Sequence, residues 1–241
     1  MKKKYSLSKK DFVYLAVIFL LVVALTLVSV LFANSKKETE PSYYDMKCNS
    51  FSAQNFNLSK GQIVFIGDSI TDLYPLDDFY ADLPLATYNR GIGGDTTEGV
   101  LNRLKVSLYD LQPSKIVLMI GTNDVNGRKS HESTVTNYRR ILQNIRENLP
   151  SVELYCMSLI PLNDVLETYA NIDTEESTRR ILALNTEIPT LAEEFNATYL
   201  NIFPLLADEN NRLIETYSDD GLHLNTAGFQ VWTALIKPYL Q

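Results

Sequence analysis

Residues Ile63–Asp72 read IVFIGDSITD, and the reading of this stretch decides what fold to expect. Four apolar residues, Ile63 to Ile66, run straight into Gly67-Asp68-Ser69, and an amphipathic stretch follows. A short continuous apolar run bounded by glycine is the pattern of a buried strand in a parallel sheet. Gly67 permits a tight turn, which puts Ser69 at a helix start on the carboxyl edge of that sheet. A hydroxyl there is exposed, beside free N–H groups and the positive end of a helix dipole. The same pattern also suits a serine that merely caps the helix of a βα turn.

Working outward, strands and helices alternate. Ala86–Asn89 reads as a short second strand before the glycine-rich Gly91-Ile92-Gly93-Gly94, and the first helix is expected over Ile70–Ala81. Val100, Leu101, Leu104 and Leu108 fall at helical spacing, and Lys115–Ile120 is a third strand ending in Gly121-Thr122-Asn123-Asp124. Val135, Tyr138, Ile141, Leu142, Ile145 and Leu149 mark one face of a helix that stops at Pro150. Val152–Ser158 is a fourth strand, and Leu159–Thr174 reads as a long loop of the kind that shapes binding sites. A helix follows over Ile181–Phe195, kinked at Pro189, then a fifth strand at Ala197–Ile202 and a closing helix at Ala227–Leu240. This alternation predicts an α/β fold: three α/β/α layers around a five-stranded parallel sheet, flavodoxin-like.

Ahead of this domain, Phe12–Ala33 is 22 residues without a charge, long enough to cross a bilayer. Lys2, Lys3, Lys4, Lys9 and Lys10 precede it and orient residues 1–11 as a cytoplasmic tail, which puts the rest of the chain outside. A cleaved signal peptide is the alternative. It fits less well, because a signal's apolar core spans about 7–15 residues and the exit Leu31-Phe32-Ala33 lacks a small-x-small site. The expected organisation is therefore a tail over 1–11, an anchor over 12–33, a tether over 34–50 and a catalytic domain over 51–241. Seven lysines and one acid lie in the first 37 residues, so the remainder carries a net charge of −13. Such a body lacks the basic footprint that nucleic acid requires. Cys48 and Cys156 are too few for a disulfide framework or a four-thiolate zinc site, and two free thiols are expected.

Ligands in an open parallel sheet sit beyond the carboxyl ends of the strands. Three glycine-bearing polar turns, Gly67–Ser69, Gly91–Asp95 and Gly121–Asp124, should converge there. A fourth segment, Asp219-Asp220-Gly221-Leu222-His223-Leu224-Asn225, holds one of only two histidines. The other, His131, lies in the polar run Arg128–Glu132 and reads as a solvated residue near a helix start. A serine nucleophile needs a base near neutral pKa and a carboxylate to fix its tautomer. Asp220 and His223 can supply that pair, or they can simply make local backbone bonds at a helix entry. Metal-dependent phosphoester cleavage through Asp68, Asp72, Asn123, Asp124 and His223 is poorly supplied with histidine. No metal and no cofactor are expected.

Taken together, four blocks resemble the SGNH (GDSL-type) hydrolases, and within them bacterial relatives of the platelet-activating-factor acetylhydrolase catalytic subunit. The blocks are GDSI at Gly67–Ile70, NRGIGGDTT at Asn89–Thr97, GTND at Gly121–Asp124 and DGLHLN at Asp220–Asn225. The resemblance implies Ser69 as nucleophile, His223 as base and Asp220 as orienting carboxylate, with Asp219 the alternative orienter. It implies an oxyanion hole of the Ser69 and Gly94 N–H groups and the Asn123 amide, with Asp68 and Asp124 buttressing their turns. The expected function is a membrane-anchored, extracytoplasmic esterase acting on short-acyl or acetyl esters of envelope glycans or lipids. A lysophospholipase, an O-acyltransferase using the same triad and a catalytically silent binding domain are the alternatives.

Overall fold

The computed structural model describes residues 8–35, 41–164 and 174–241. The chain divides into two compact units, Met1–Ser42 and Tyr43–Gln241. In the first, helix α1 (Lys9–Ser35) is apolar on every face, with a mean hydropathy of 2.8 over Lys9–Ser29. By length and composition it is a helix able to cross a membrane, a test that a signal sequence also passes.

The second unit opens with helix α2 (Tyr43–Asn55), and this corrects the expected tether. Residues 43–50 are helical and belong to the domain. Phe51 is buried, and the Tyr44 hydroxyl donates to the Gly99 carbonyl at 2.8 Å. The Asn55 amide donates to the Val106 carbonyl at 2.7 Å, and the Arg90 guanidinium reaches the side-chain oxygens of Gln54 and Asn55.

The remaining elements follow in chain order: β1 (Ile63–Gly67), α3 (Ser69–Asp72), α4 (Leu76–Tyr80), β2 (Thr87–Gly91), α5 (Thr97–Asn102), β3 (Lys115–Met119), α6 (Thr122–Asn126), α7 (His131–Asn148), β4 (Glu153–Met157), α8 (Thr174–Glu194), β5 (Thr198–Leu200), α9 (Phe203–Leu206) and α10 (Thr226–Leu240). The strands pair in parallel in the order β2-β1-β3-β4-β5, the flavodoxin-like arrangement. All of β1 and β3 is buried, as a parallel sheet covered on both faces requires. Helices α5, α7 and α8 pack in series, and α10 packs with α4 and α9 as a second group.

Several boundaries differ from expectation. Helix α8 starts at Thr174 rather than Ile181, and β5 spans only Thr198–Leu200. Two further differences fall between β1 and the end of β2. The single helix expected over 70–81 is broken at Pro75, whose missing N–H and ring block a helix interior. The carbonyls freed by the break are caught by Asn89, whose amide donates to Thr71 and Tyr74 at 2.7 and 3.1 Å. Strand β2 ends two residues later than expected, so that Gly91 pairs with Gly67. Pro189 is accommodated inside α8. Most of the loop expected over 159–174 (165–173) lies outside the described residues.

Candidate active site

The register places Gly67 beside Gly91 and Met119, so the turns after β1, β2 and β3 open side by side on the carboxyl edge. Gly67 is needed for close approach: a Cβ there would stand 2.3 Å from both the Met119 carbonyl oxygen and Thr71 Oγ1. The cap of α3 is Asp68, whose Oδ1 accepts from the Ile70 N–H at 3.0 Å. Ser69 is the first helical residue, so its hydroxyl is not consumed in capping and its amide belongs to the unsatisfied start of the helix.

The hydroxyl instead meets histidine. Ser69 Oγ lies 2.9 Å from His223 Nε2, and His223 Nδ1 lies 2.7 Å from Asp220 Oδ2. A carboxylate only accepts, so Nδ1 carries the hydrogen and Nε2 presents its lone pair to the serine O–H. The loop is built to hold this pose. Asp220 Oδ1 accepts from the Leu222 and His223 N–H groups at 2.9 and 2.7 Å. Gly221 adopts φ +80°, and a Cβ there would fall 2.0 Å from the Asn163 carbonyl oxygen. Asn225 caps α10 directly afterwards, accepting from Ala227 and Gly228. Partial burial works against charge on Asp220, but the hydrogen bonds from His223 and Leu222 outweigh it and hold the carboxyl below its ordinary value. Asp219 is exposed and accepts from the Asn225 amide, so of the two adjacent acids Asp220 is the one that meets the imidazole. His131 opens α7 and lies 3.9 Å from Glu187.

Gly94 is exposed at φ +77°, with nothing within 4 Å of where a Cβ would sit. The neighbouring amides of Ile92, Gly93 and Asp95 donate to Gly67, Asp72 and Ile92 respectively. The Gly94 N–H meets no acceptor among the described residues. Asn123 is half-buried, and its amide donates to the Asp95 carbonyl at 2.9 Å. Beside Gly94 lies an open groove of about 350 Å³ bordered by Tyr44, Gly93, Thr96, Glu98 and Asn102.

Each expected oxyanion donor has a buried carboxylate as its chain neighbour: Asp68 beside Ser69, Asp95 beside Gly94, Asp124 beside Asn123. Asp124 accepts from the Thr97 N–H and hydroxyl at 2.9 and 2.6 Å. Asp95 pairs with Arg103 at 2.7 Å, both fully buried. Arg103 also donates to the carbonyls of Gly67 and Arg90 and to the Ser107 hydroxyl. Burial pushes all three carboxyls upward, Asp68 to about 7. The supporting roles of Asp95, Arg103 and Asp72 were not read from sequence. Arg103 sits in a helical apolar pattern, where a charge ordinarily marks a solvated face. Of the residues considered for a metal, Asp72 is engaged by Tyr43, Lys47 and the Gly93 N–H. No group of three or more His, Cys, Asp or Glu ligands gathers among the described residues.

Among known proteins, the profile of the GDSL-like Lipase/Acylhydrolase family matches residues 65–231. The chain belongs to this GDSL-like family. It is thereby a hydrolase of the lipase/acylhydrolase type. Among curated relatives, the platelet-activating factor acetylhydrolase IB subunit alpha1 of Bos taurus is 29% identical over 171 residues, 70% of each chain. The alpha2 subunit of Homo sapiens is 35% identical over 102 residues, 41% of this chain and 44% of that one. A Streptococcus pneumoniae structure named for platelet activating factor superposes with a TM-score of 0.76 at 27% identity, covering 91% of this chain and 99% of its own.

Proposed function

We propose that this GDSL-like hydrolase is a membrane-anchored, extracytoplasmic serine esterase that cleaves short-acyl esters through an acyl-enzyme. The observation that carries the reading is the relay from Ser69 Oγ to His223 Nε2 at 2.9 Å and from His223 Nδ1 to Asp220 Oδ2 at 2.7 Å. In the proposed mechanism His223 takes the serine proton as Oγ attacks the ester carbonyl, and Asp220 stabilises the resulting imidazolium. The oxyanion forms against the Ser69 and Gly94 N–H groups and the Asn123 amide. Collapse expels the alcohol, protonated by His223. Water, activated by the same imidazole, then releases the acid and restores the serine.

The uncharged run Phe12–Ala33 and the lysines before it support anchoring with the catalytic part outside. The substrates are ester groups on envelope glycans or lipids. The acidic body disfavours large anionic substrates, and a relative bearing the name acetylhydrolase supports a short acyl group. In the test, full-length protein in mild detergent is assayed on p-nitrophenyl esters from acetyl to palmitoyl and on acetylated sugars. Ser69→Ala abolishes turnover and fluorophosphonate labelling, and rates fall with acyl length. An active Ser69→Ala variant overturns the serine mechanism, and flat rates across acyl length overturn the short-acyl preference.

A further inference from the structure

We propose that Asp72 is a positioning residue that ties helix α2 to the loop carrying Gly94, so that α2 sets the oxyanion donor. This role rests on the esterase reading above. Asp72 ends the single helical turn that Ser69 begins. Its Oδ2 accepts from the Gly93 N–H at 3.0 Å and from the Tyr43 hydroxyl at 2.8 Å. Its Oδ1 accepts from Lys47 Nζ at 2.7 Å. One carboxylate therefore joins the nucleophile's turn, the glycine loop and two residues of α2.

The loop needs such a restraint. Gly94 has no side chain, adopts φ +77° and touches nothing on its Cβ side, so its own contacts do not orient its amide. The direction of that N–H is set by its neighbours, and the preceding peptide is held by Asp72. Space is tight on this side: a Cβ on Gly91 would meet the Asp72 backbone nitrogen at 2.1 Å. A Cβ on Gly93 would stand 3.5 Å from Tyr43 Cε1 and 4.0 Å from Ser69 Cβ. Tyr43 thus borders the nucleophile through one glycine. The family match begins at residue 65, so Tyr43 and Lys47 lie outside the matched region.

The test compares Asp72→Ala, Asp72→Asn and the double variant Tyr43→Phe/Lys47→Met in the full-length protein in mild detergent. Rates on p-nitrophenyl acetate are normalised to sites titrated with a fluorophosphonate. Loss of a whole oxyanion donor lowers kcat by about 10²–10³, so a misdirected one should cost about tenfold. Asp72→Ala is expected to lower kcat per titrated site by that factor with KM within about twofold, since the interaction is made in the transition state. Asp72→Asn keeps an acceptor for the Gly93 N–H and recovers most of the rate, while the double variant falls between. Hydrogen exchange read by mass spectrometry accelerates over residues 91–95 in Asp72→Ala. Unchanged kcat per titrated site in Asp72→Ala overturns this role and leaves the esterase reading standing. A rate loss explained wholly by fewer titratable sites or a lower Tm overturns it equally. A wild-type protein that turns over no ester removes the esterase reading and this role with it.

Discussion

Asp68 shows how much a single position can carry. It is fully buried and caps α3 through Oδ1, while its Oδ2 finds no hydrogen-bond partner among the described residues. Burial, reinforced by Asp95 and Asp124, pushes its carboxyl from an ordinary value of 3.8 to about 7. The folded protein then holds a proton that the unfolded chain gives up earlier as pH rises. The stabilisation linked to that proton is complete below the ordinary value and is lost as pH climbs toward about 7. Asp95 and Asp124 shift in the same direction, and Asp220 in the opposite one. Asp68→Asn keeps the cap's acceptor oxygen and removes the titration. Urea midpoints measured from pH 4 to pH 8 should therefore decline less steeply in Asp68→Asn than in the wild type. Parallel declines would assign the slope to other groups.

Among the elements, the loop-to-α10 junction links packing to chemistry. Asn225 accepts from two amides at the start of α10, and its own amide donates to the Thr216 carbonyl and to Asp219. Removing such a cap costs about 1 kcal/mol. Asn225→Ala should lower stability by about that amount and lower kcat by loosening His223, as read by denaturation and by turnover per titrated site. The Asp220–His223 pair was legible in sequence, because the two residues lie within one short segment whose bonds are local, whereas the Asn225 cap was not read there. The strands were legible for a related reason: Ile63–Ile66 and Lys115–Ile120 are apolar on both faces, which only a doubly covered sheet tolerates. Helix α2 was not. Its sequence, YYDMKCNSFSAQN, shows little apolar periodicity and buries only Phe51 fully. What fixes it are bonds to Asp72, Gly99, Arg90 and Val106, partners remote in sequence. The break at Pro75 was available to a stricter reading, since proline in a helix interior removes both an amide and room.

At the level of the whole molecule, one buried cation holds several parts of the fold in register. Arg103 neutralises Asp95 and donates to the carbonyl ends of β1 and β2. Breaking a buried pair by deleting one partner costs about 3–5 kcal/mol, because the other charge is left uncompensated. Arg103→Met should therefore destabilise the domain by about that amount in urea unfolding. A loss below about 1 kcal/mol for Arg103→Met would show that the pair is dispensable. The sheet order adds a last consequence. Ser69 follows β1, but its imidazole partner lies 154 residues later, beyond β5. A ribosome releases the hydroxyl long before the imidazole that, on the proposed mechanism, activates it. On that mechanism the nascent polypeptide is thus inert toward esters until the segment bearing His223 has been made and has folded against Ser69.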